Sequence, residues 1–221
     1  MSTLPGELVL TSPWRLKPPG PDTPVQKKPR ASLPSISVAT TSNCPGSAGA
    51  AVEWGDCRVH VTVAPPSQPS QLTMSHDHAV LEVEVVVAPF ACLAPETLSE
   101  VDLARLVREA LAVVVDVTAY PKSVISFRAV ILALGKSPVL PALVLGATAA
   151  VEAASLSVKG RVIATAVEAD GVTSITGFEL ASSKLALLAS TGIPDLGLGL
   201  SAARQIEAEL VACGALRVRT S

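Results

Sequence analysis

Two short segments of the sequence contain residue types whose spacing could support chemistry. Gly135-Lys136-Ser137 matches the last residues of a phosphate-binding loop, in which backbone N–H groups and a lysine hold phosphate oxygens. That motif requires a glycine five residues before Gly135, and Val130 stands there instead. Pro138 also removes a backbone donor where a following helix would offer one to phosphate. We therefore predict a simple turn at this point and no nucleotide site.

The second segment, His76-Asp77-His78, places two imidazoles on one face of a short extended stretch. Zinc requires three or four ligands, and His60 is the only other histidine of the chain. We predict an exposed loop here and no metal site. The sequence contains no G-x-S-x-G motif and no Ser/His/Asp or Cys/His grouping, and its carboxylates are scattered, so we predict no catalytic residue and no cofactor.

The composition limits the classes of function that remain. The 221 residues are 49% hydrophobic, 3% aromatic and 16% charged, with 17 basic and 19 acidic side chains. A balance so near neutrality excludes a polybasic nucleic-acid arm as the main feature. The low charge indicates that part of the surface is covered in an assembly. The four cysteines, which form no C-x-x-C pair, and the lack of an export signal at the start predict reduced thiols in the cytosol or nucleus.

The periodicity predicts one α+β domain at 34–221, preceded by a proline-rich arm at 1–33 that is extended or disordered. The Lys27-Lys28-Pro29-Arg30 cluster of the arm could contact RNA or act as a localisation signal, although a solvated tail is the interpretation we favour. The apolar stretch 129–151 is interrupted by Lys136, two prolines and two glycines, so it predicts a strand, a turn and a helix and no membrane segment.

The predicted elements alternate between strands and helices. Gly55-Asp56 and Asp170-Gly171 are predicted hairpin turns, 66–77 a polar hairpin loop, and Ser99 or Thr97 the cap of the first helix. Glu82 and Glu84 are predicted on one solvated strand face. The predicted strands are 52–54, 58–63, 80–88, 123–134, 161–168, 172–180 and 184–190, and the predicted helices are 98–115, 140–154 and 201–213.

Several segments resemble the RNase PH family, in the family's order. Residues 48–65, AGAAVEWGDCRVHVTVAP, resemble its opening signature, and 87–91, VAPFA, a strand exit of its exosome members. Residues 106–111, LVREAL, followed by 119–123, AYPKS, resemble a helix-and-turn segment, and 147–150 with 159–162 a helix and strand. Over about 46–214, the chain is similar to ring subunits of the eukaryotic RNA exosome, most like the messenger-RNA-transport class. The resemblance implies an RNase PH-like fold with split β-α-β pseudo-repeats.

Departures from the family pattern bear on activity. The resemblance implies an arginine pair before the first helix, where Leu98 and Ser99 stand, and a Gly-Thr-Arg element where Lys136-Ser137-Pro138 stands. The acidic loop expected after Asp170 is replaced by 172–175, which has no carboxylate. Phosphoryl transfer requires cations that stabilise charge on the phosphate oxygens. The resemblance therefore implies a non-catalytic structural subunit.

The same resemblance implies partners and a location. The partners would be other RNase PH-like subunits in a hetero-hexameric ring and RNA-binding cap subunits, with RNA threaded through the ring. The location would be the nucleus, including the nucleolus, and the cytoplasm. Arg58, Arg105 and Lys122 are candidates for contact with RNA phosphates, and ordinary ion pairs are the alternative role for each.

Two other hypotheses stay open on the sequence. One is an active phosphorolytic or hydrolytic 3′–5′ exoribonuclease whose site is completed by arginines of a partner. The other is an unrelated enzyme or binding module that shares only the fold.

Overall fold

The computed structural model describes residues 34–44, 46–68, 76–91, 99–169, 172–190 and 194–214, and the structural statements below concern these residues. The strands are β1 Ile36–Cys44, β2 Ser47–Trp54, β3 Cys57–Val63, β4 Val80–Val87, β5 Val124–Ala133, β6 Val162–Ala169, β7 Val172–Glu179 and β8 Lys184–Ser190. The α-helices are α1 Glu100–Val114, α2 Val139–Ala153 and α3 Leu196–Ala212, and Val117–Ala119 forms one 3₁₀ turn.

The first sheet has five strands in the order β1-β2-β3-β5-β4. All its neighbours are antiparallel except β4 and β5, which run parallel from Val80↔Val124 to Val87↔Ile131. A parallel pair requires a crossover, and α1 provides it. Because β5 lies between β3 and β4, the prediction of a hairpin loop at 66–77 is wrong. The two strands that flank this loop are neighbours in sequence, but β5 hydrogen-bonds to both and separates them.

Helices α1 and α2 lie between this sheet and a second one. Helix α1 contacts β4 and β8, and α2 contacts β2 and β3 on one side and β6 on the other. Every residue of α2 from Val139 to Val151 is buried. Its small residues permit the close approach: a Cβ added to Gly146 would stand 2.9 Å from Val61 Cγ2. A helix buried on both sides accounts for part of the low charge of the chain.

The second sheet has the order β6-β7-β8, and α3 packs on β6 and β7. The sequence places the start of α3 at residue 201, but the helix begins at Leu196. Asp195 caps it, accepting a hydrogen bond of 3.0 Å from the Leu198 N–H. The early glycines of α3 disguise its start because glycine disfavours helices. Gly199 is nevertheless needed, since a Cβ there would overlap Thr176 Oγ1.

Other predictions are confirmed, one strand was missed, and some predictions lie outside the described residues. The Gly55-Asp56 hairpin, the exposed pair Glu82 and Glu84, and the helices at 98–115 and 140–154 agree with the structure within a few residues. Strand β1 was not predicted; its sequence, ISVATTSNC, is rich in small polar residues. The 1–33 arm, Leu98 and the Asp170-Gly171 turn lie outside the described residues. No helix in the described ranges is long and apolar enough to span a membrane.

Candidate functional site

The carboxyl ends of the parallel strands β4 and β5 meet at one edge of the five-stranded sheet. Each strand is followed there by the start of a helix, α1 after β4 and α2 after β5. The tip of the β2–β3 hairpin reaches the same edge, because Arg58 pairs with Ala133 at the end of β5. In sheets with parallel strands, this is the edge at which ligands usually bind. The two junctions are also those at which the RNase PH resemblance implies anion-binding arginines. We call this region the strand-end site.

Asp56, at the hairpin tip, holds the loop that precedes α2. Its carboxylate accepts hydrogen bonds from the backbone N–H groups of Lys136, at 2.5 Å, and Ser137, at 2.9 Å. Gly135 leaves room for this contact, since a Cβ there would overlap the carboxylate. The buried Cys57 thiol donates to the Ser137 carbonyl oxygen at 2.8 Å. The loop is therefore a turn, as predicted, and two of its N–H donors are already bound to a carboxylate of the same chain.

These contacts keep Asp56 negatively charged. Hydrogen bonds from the Ser137 side chain and from the Lys136 and Ser137 N–H groups lower the pKa of Asp56 from 3.8 to about 2. The carboxylate is fully ionised at neutral pH. A phosphate that approached the loop would meet this negative charge.

The β4–α1 junction adds two more carboxylates. Glu100 Oε1 accepts a hydrogen bond of 2.8 Å from the Val87 N–H at the end of β4. Ser99 caps α1, as predicted: its hydroxyl accepts from the Asp102 N–H at 3.2 Å and donates to Asp102 Oδ2 at 2.6 Å. Acidic groups in the first turn stabilise a helix through its dipole. They also place negative charge where the resemblance implies arginines.

The strand-end site consequently carries an excess of negative charge. Within the described part of the chain, this edge carries the carboxylates of Asp56, Glu100 and Asp102 and the exposed side chain of Lys136. Arg58 lies at the same end, but its Nε is 3.1 Å from Glu53 Oε1. A lysine is a compact charge that lacks the planar fork with which arginine binds phosphate. In the part of the chain that the structure describes, the cations named at this edge are therefore one exposed lysine and one arginine that is paired with Glu53.

The three candidate RNA-binding residues do not form one site. Arg58 pairs with Glu53, and on α1 Arg105 lies 3.3 Å from Glu109. Lys122 is exposed in the turn before β5. Arg58 and Lys122 lie at opposite ends of β5, about 30 Å apart for a ten-residue strand. Contact with RNA stays a prediction for each of the three.

The other candidate positions are exposed and polar. His76 and His78 are exposed, as predicted, and no group of three or more His, Cys, Asp or Glu side chains in the described ranges could hold a metal ion. A depression of about 690 Å³ lies over β3, β5 and β4 and includes Glu82, Glu84 and Arg128. Arg128 Nε is 3.5 Å from Glu84 Oε2, so the depression does not form a cationic site either.

Sequence reasoning missed the role of Asp56. It identified the Gly-Asp pair only as a turn, because the loop that the carboxylate binds is 80 residues away in sequence. Glu100 was missed for a similar reason, since its partner is a backbone group of β4. The only signal in the sequence was that two turns, Gly55-Asp56 and Gly135-Lys136-Ser137, both contain a glycine and polar residues that could bind each other.

Comparison with known proteins identifies the family. Residues 34–157 match the RNase PH model, described as the 3′ exoribonuclease family, domain 1. The match covers more than half of the chain, and the protein therefore belongs to the RNase PH family. Its α+β RNase PH-like fold is as predicted. A search of curated protein sequences found no match.

Solved structures show the same fold at low sequence identity. Rrp46 of rice (Oryza sativa) aligns with a TM-score of 0.71 and 16% identity, over 86% of this chain and 98% of that one. A chain of the Archaeoglobus fulgidus exosome with RNA bound to the active site aligns with a TM-score of 0.63 and 17% identity, over 80% and 89%. A chain of an archaeal exosome core aligns with a TM-score of 0.60 and 16% identity, over 81% and 87%.

Proposed function

We propose that this protein is a non-catalytic subunit of an exosome-type ring that acts in 3′-to-5′ RNA processing and degradation. Its place in the RNase PH family and its structural likeness to exosome chains support the assembly. The charge of the strand-end site supports the absence of catalysis. In the proposal the chain holds the ring together, supports RNA-binding cap subunits and lines part of the RNA path.

One observation carries the proposal: the Asp56 carboxylate occupies the N–H donors of the loop before α2. A reacting phosphodiester or inorganic phosphate requires donors and cations at its oxygens. Here the backbone donors are taken by a group of the same charge as phosphate. Because the pKa of Asp56 is about 2, protonation does not release them at neutral pH.

In this proposal the partners are other RNase PH-like subunits in a hetero-hexameric ring, and the chain takes the part of a messenger-RNA-transport-class subunit. The low charge of 16% supports large contacts with neighbours. We extend the proposal to a location in the nucleus, including the nucleolus, and in the cytoplasm. Imaging of the tagged chain tests the location.

Affinity purification tests the assembly. The tagged chain is recovered at moderate salt, and the proteins that stay bound are identified and quantified by mass spectrometry. We expect five other RNase PH-like chains and three cap proteins in near-equal amounts, the numbers that a hetero-hexameric ring with its cap implies. Recovery of the chain alone would overturn the proposal.

A second assay tests the absence of catalysis within that complex. Release of nucleotides from a single-stranded 3′ end is measured with and without inorganic phosphate. We expect complexes with wild-type chain, Lys136→Ala or Asp170→Asn to have equal rates, with Lys184→Ala on β8 as the matched control. A rate that falls with Lys136→Ala or Asp170→Asn, and not with the control, would show that this chain contributes an active site.

A further inference from the structure

A groove of about 430 Å³ lies between the start of β1 and the end of α3. Residues 36–38 of β1 line one side, and five residues between Ile206 and Cys213 line the other. Ile206 and Leu210 are buried, whereas Ile36 and Val38 are half-buried and pack against the core. The groove is therefore largely apolar, and we call it the β1–α3 groove.

The β1 side of this groove belongs to an edge strand. Among the described strands, β1 pairs only with β2. Edge strands of soluble proteins are normally protected by charges, prolines or a covering segment, because their backbone groups pair readily with another strand. The sequence of β1, ISVATTSNC, contains no charge and no proline. An extended segment in the groove would cover the edge and the apolar side chains together.

The end of α3 directs the following chain toward the groove. Gly214 follows the cap residue Cys213, has a φ of +73°, and donates its N–H to the Val211 carbonyl oxygen at 3.1 Å. This bond is one of the two that define a Schellman motif. In that motif the next residue folds back over the last helical turn, toward the residue three before the cap. Here that residue is Leu210, which lines the groove.

The sequence after Gly214 has the chemistry that the groove requires. Residues 215–221 read ALRVRTS, in which Leu216 and Val218 alternate with Arg217 and Arg219. In an extended conformation, alternate side chains point to opposite sides. The two apolar side chains would then share one side of the segment, and the two arginines would share the other.

We propose that residues 215–218 bind as an extended segment in the β1–α3 groove of the same chain. Leu216 and Val218 contact the apolar side chains of the groove, and the arginines stay at the surface. The groove has a carboxylate for them in Glu209, which is exposed and also accepts a hydrogen bond from Gln205 at 3.2 Å.

The position of the segment favours it over any separate chain as the occupant. Cys213 itself lines the groove, and Leu216 follows Gly214 by two residues, a reach of about 7 Å in extended chain. A short covalent connection gives an effective concentration in the millimolar range. The exposed Cys213 thiol lies at the end of the groove from which the segment enters.

Docking of the segment joins two layers of the fold. Helix α3 packs on β6 and β7 of the second sheet, whereas β1 belongs to the first sheet. A segment that starts at the end of α3 and lies against β1 connects them and protects the edge strand. This inference goes beyond the proposed function and does not depend on it, because it requires neither RNA nor a partner.

Backbone amide relaxation of the full-length protein tests the docking. We expect order parameters of about 0.85 for residues 215–218 in the wild type, the value of rigid backbone, and values below about 0.6 in Leu216→Ser. Val38→Glu changes the groove and leaves the segment intact, and it should have the same effect. The matched control is Leu196→Ser, which removes a leucine of 43% exposure at the other end of α3 and should leave residues 215–218 ordered.

Methyl nuclear Overhauser effects identify the occupant. We expect contacts from Leu216 to Ile36 and Leu210 within one chain. In a mixture of isotope-labelled and unlabelled protein, these contacts should be absent between chains. Contacts between chains would show that the segment of a second copy fills the groove, and the proposal would be wrong.

Three further outcomes overturn the proposal. The first is a wild-type segment with order parameters below about 0.6. The second is a segment that stays ordered in both Leu216→Ser and Val38→Glu. The third is a segment that becomes ordered only in a complex with another protein, which would make that protein the occupant or its cause. None of these outcomes concerns RNA, so each leaves the proposed function unaffected.

Discussion

At the scale of single residues, Arg161 connects three elements through buried ion pairs. Its side chain is 3% exposed, and its Nε and Nη2 lie 2.7 Å and 3.0 Å from the two carboxylate oxygens of Glu152 on α2. Its Nη1 lies 2.9 Å from Glu207 Oε1 on α3. Burial acts to lower the pKa of Arg161, but the bonds to Glu152 and Glu207 outweigh it and raise that pKa. The guanidinium therefore stays charged and joins α2 to α3 beside the start of β6.

Replacing Arg161 with methionine is expected to lower the free energy of unfolding by about 3 kcal/mol, because it leaves Glu152 buried without its guanidinium. Adding Glu152→Gln should recover part of this loss, since the uncompensated charge is then removed. Urea unfolding of the wild type, the two single variants and the double variant measures both effects. If the double variant loses as much free energy of unfolding as the two single variants lose in sum, Arg161 and Glu152 are not energetically coupled and the prediction is contradicted.

The two cysteines whose side chains the structure describes are expected to react differently with thiol reagents. Burial raises the pKa of Cys57, whose thiol also donates to the Ser137 carbonyl, whereas Cys213 is exposed. In a Cys44→Ser/Cys92→Ser background, native protein should therefore label at Cys213 only, and both should label in denaturant. Mass spectrometry of labelled peptides measures this. Rapid native labelling of Cys57 would show that the hairpin tip opens readily.

At the scale of elements, the contact of Asp56 with loop 135–137 fixes the β2–β3 hairpin against the start of α2. The folded pKa of Asp56 is about 2, below its ordinary 3.8, so folding favours the ionised form. The resulting stability is fully present above 3.8 and is lost as the pH falls through about 2. Asp56→Asn should thus be less stable than the wild type at neutral pH, and the difference should shrink over that acid range.

Denaturant unfolding of wild type and Asp56→Asn across the acid range measures this difference. Asp77→Asn, in the exposed segment His76–His78, is the control for the loss of one surface carboxylate. If the free energies of unfolding of the wild type and Asp56→Asn differ by the same amount at every pH, the charge of Asp56 does not stabilise the loop.

Two helical glycines should respond in opposite ways to alanine. Glycine costs a helix about 1 kcal/mol relative to alanine, so Gly197→Ala, which meets only Asp195 at an ordinary 3.4 Å, should stabilise α3. Gly146→Ala places a methyl group 2.9 Å from Val61 Cγ2, where α2 packs against β3. We expect it to lower the free energy of unfolding by about 1–3 kcal/mol through overpacking. Thermal unfolding checks both, and stabilisation by Gly146→Ala would show that α2 can move from the sheet.

The elements that could be predicted from sequence are those with strong local signals. The apolar stripe of α1, the run of small apolar residues in α2 and the Gly55-Asp56 turn each indicate their structure within a few residues. The position of β5 between β3 and β4, the start of α3 and strand β1 depend on contacts between distant segments. The same is true of the strand-end site. The missing arginines can be noted from the sequence. That the Asp56 carboxylate accepts hydrogen bonds from the N–H groups of loop 135–137 cannot be predicted from it.

At the scale of the whole molecule, the distribution of charge follows from the layered fold. Helices α1 and α2 contact both sheets, so their inner faces require apolar residues, and charged groups are left to the outer surfaces. There Arg58, Arg105 and Arg128 each pair with a nearby glutamate. These three arginines therefore do not form a concentrated positive patch. In the proposed ring, we expect contact with RNA to involve separate cations of this chain together with those of neighbouring chains.

Whether a cation already forms an ion pair predicts how much its removal affects RNA binding. Lys122 is exposed and forms no ion pair within the described ranges, whereas Arg58 is held by Glu53. If RNA passes along this subunit, Lys122→Ala should reduce the slope of log affinity against log salt by about 0.7, the value for one phosphate contact on a single strand. Arg58→Ala should leave the slope unchanged, since neutralisation by Glu53 already prevents counterion release. Both slopes are measured by fluorescence anisotropy of a labelled single-stranded RNA with the purified complex over a series of salt concentrations. Equal reductions of the slope in the two variants would show that the Arg58–Glu53 ion pair opens when RNA binds.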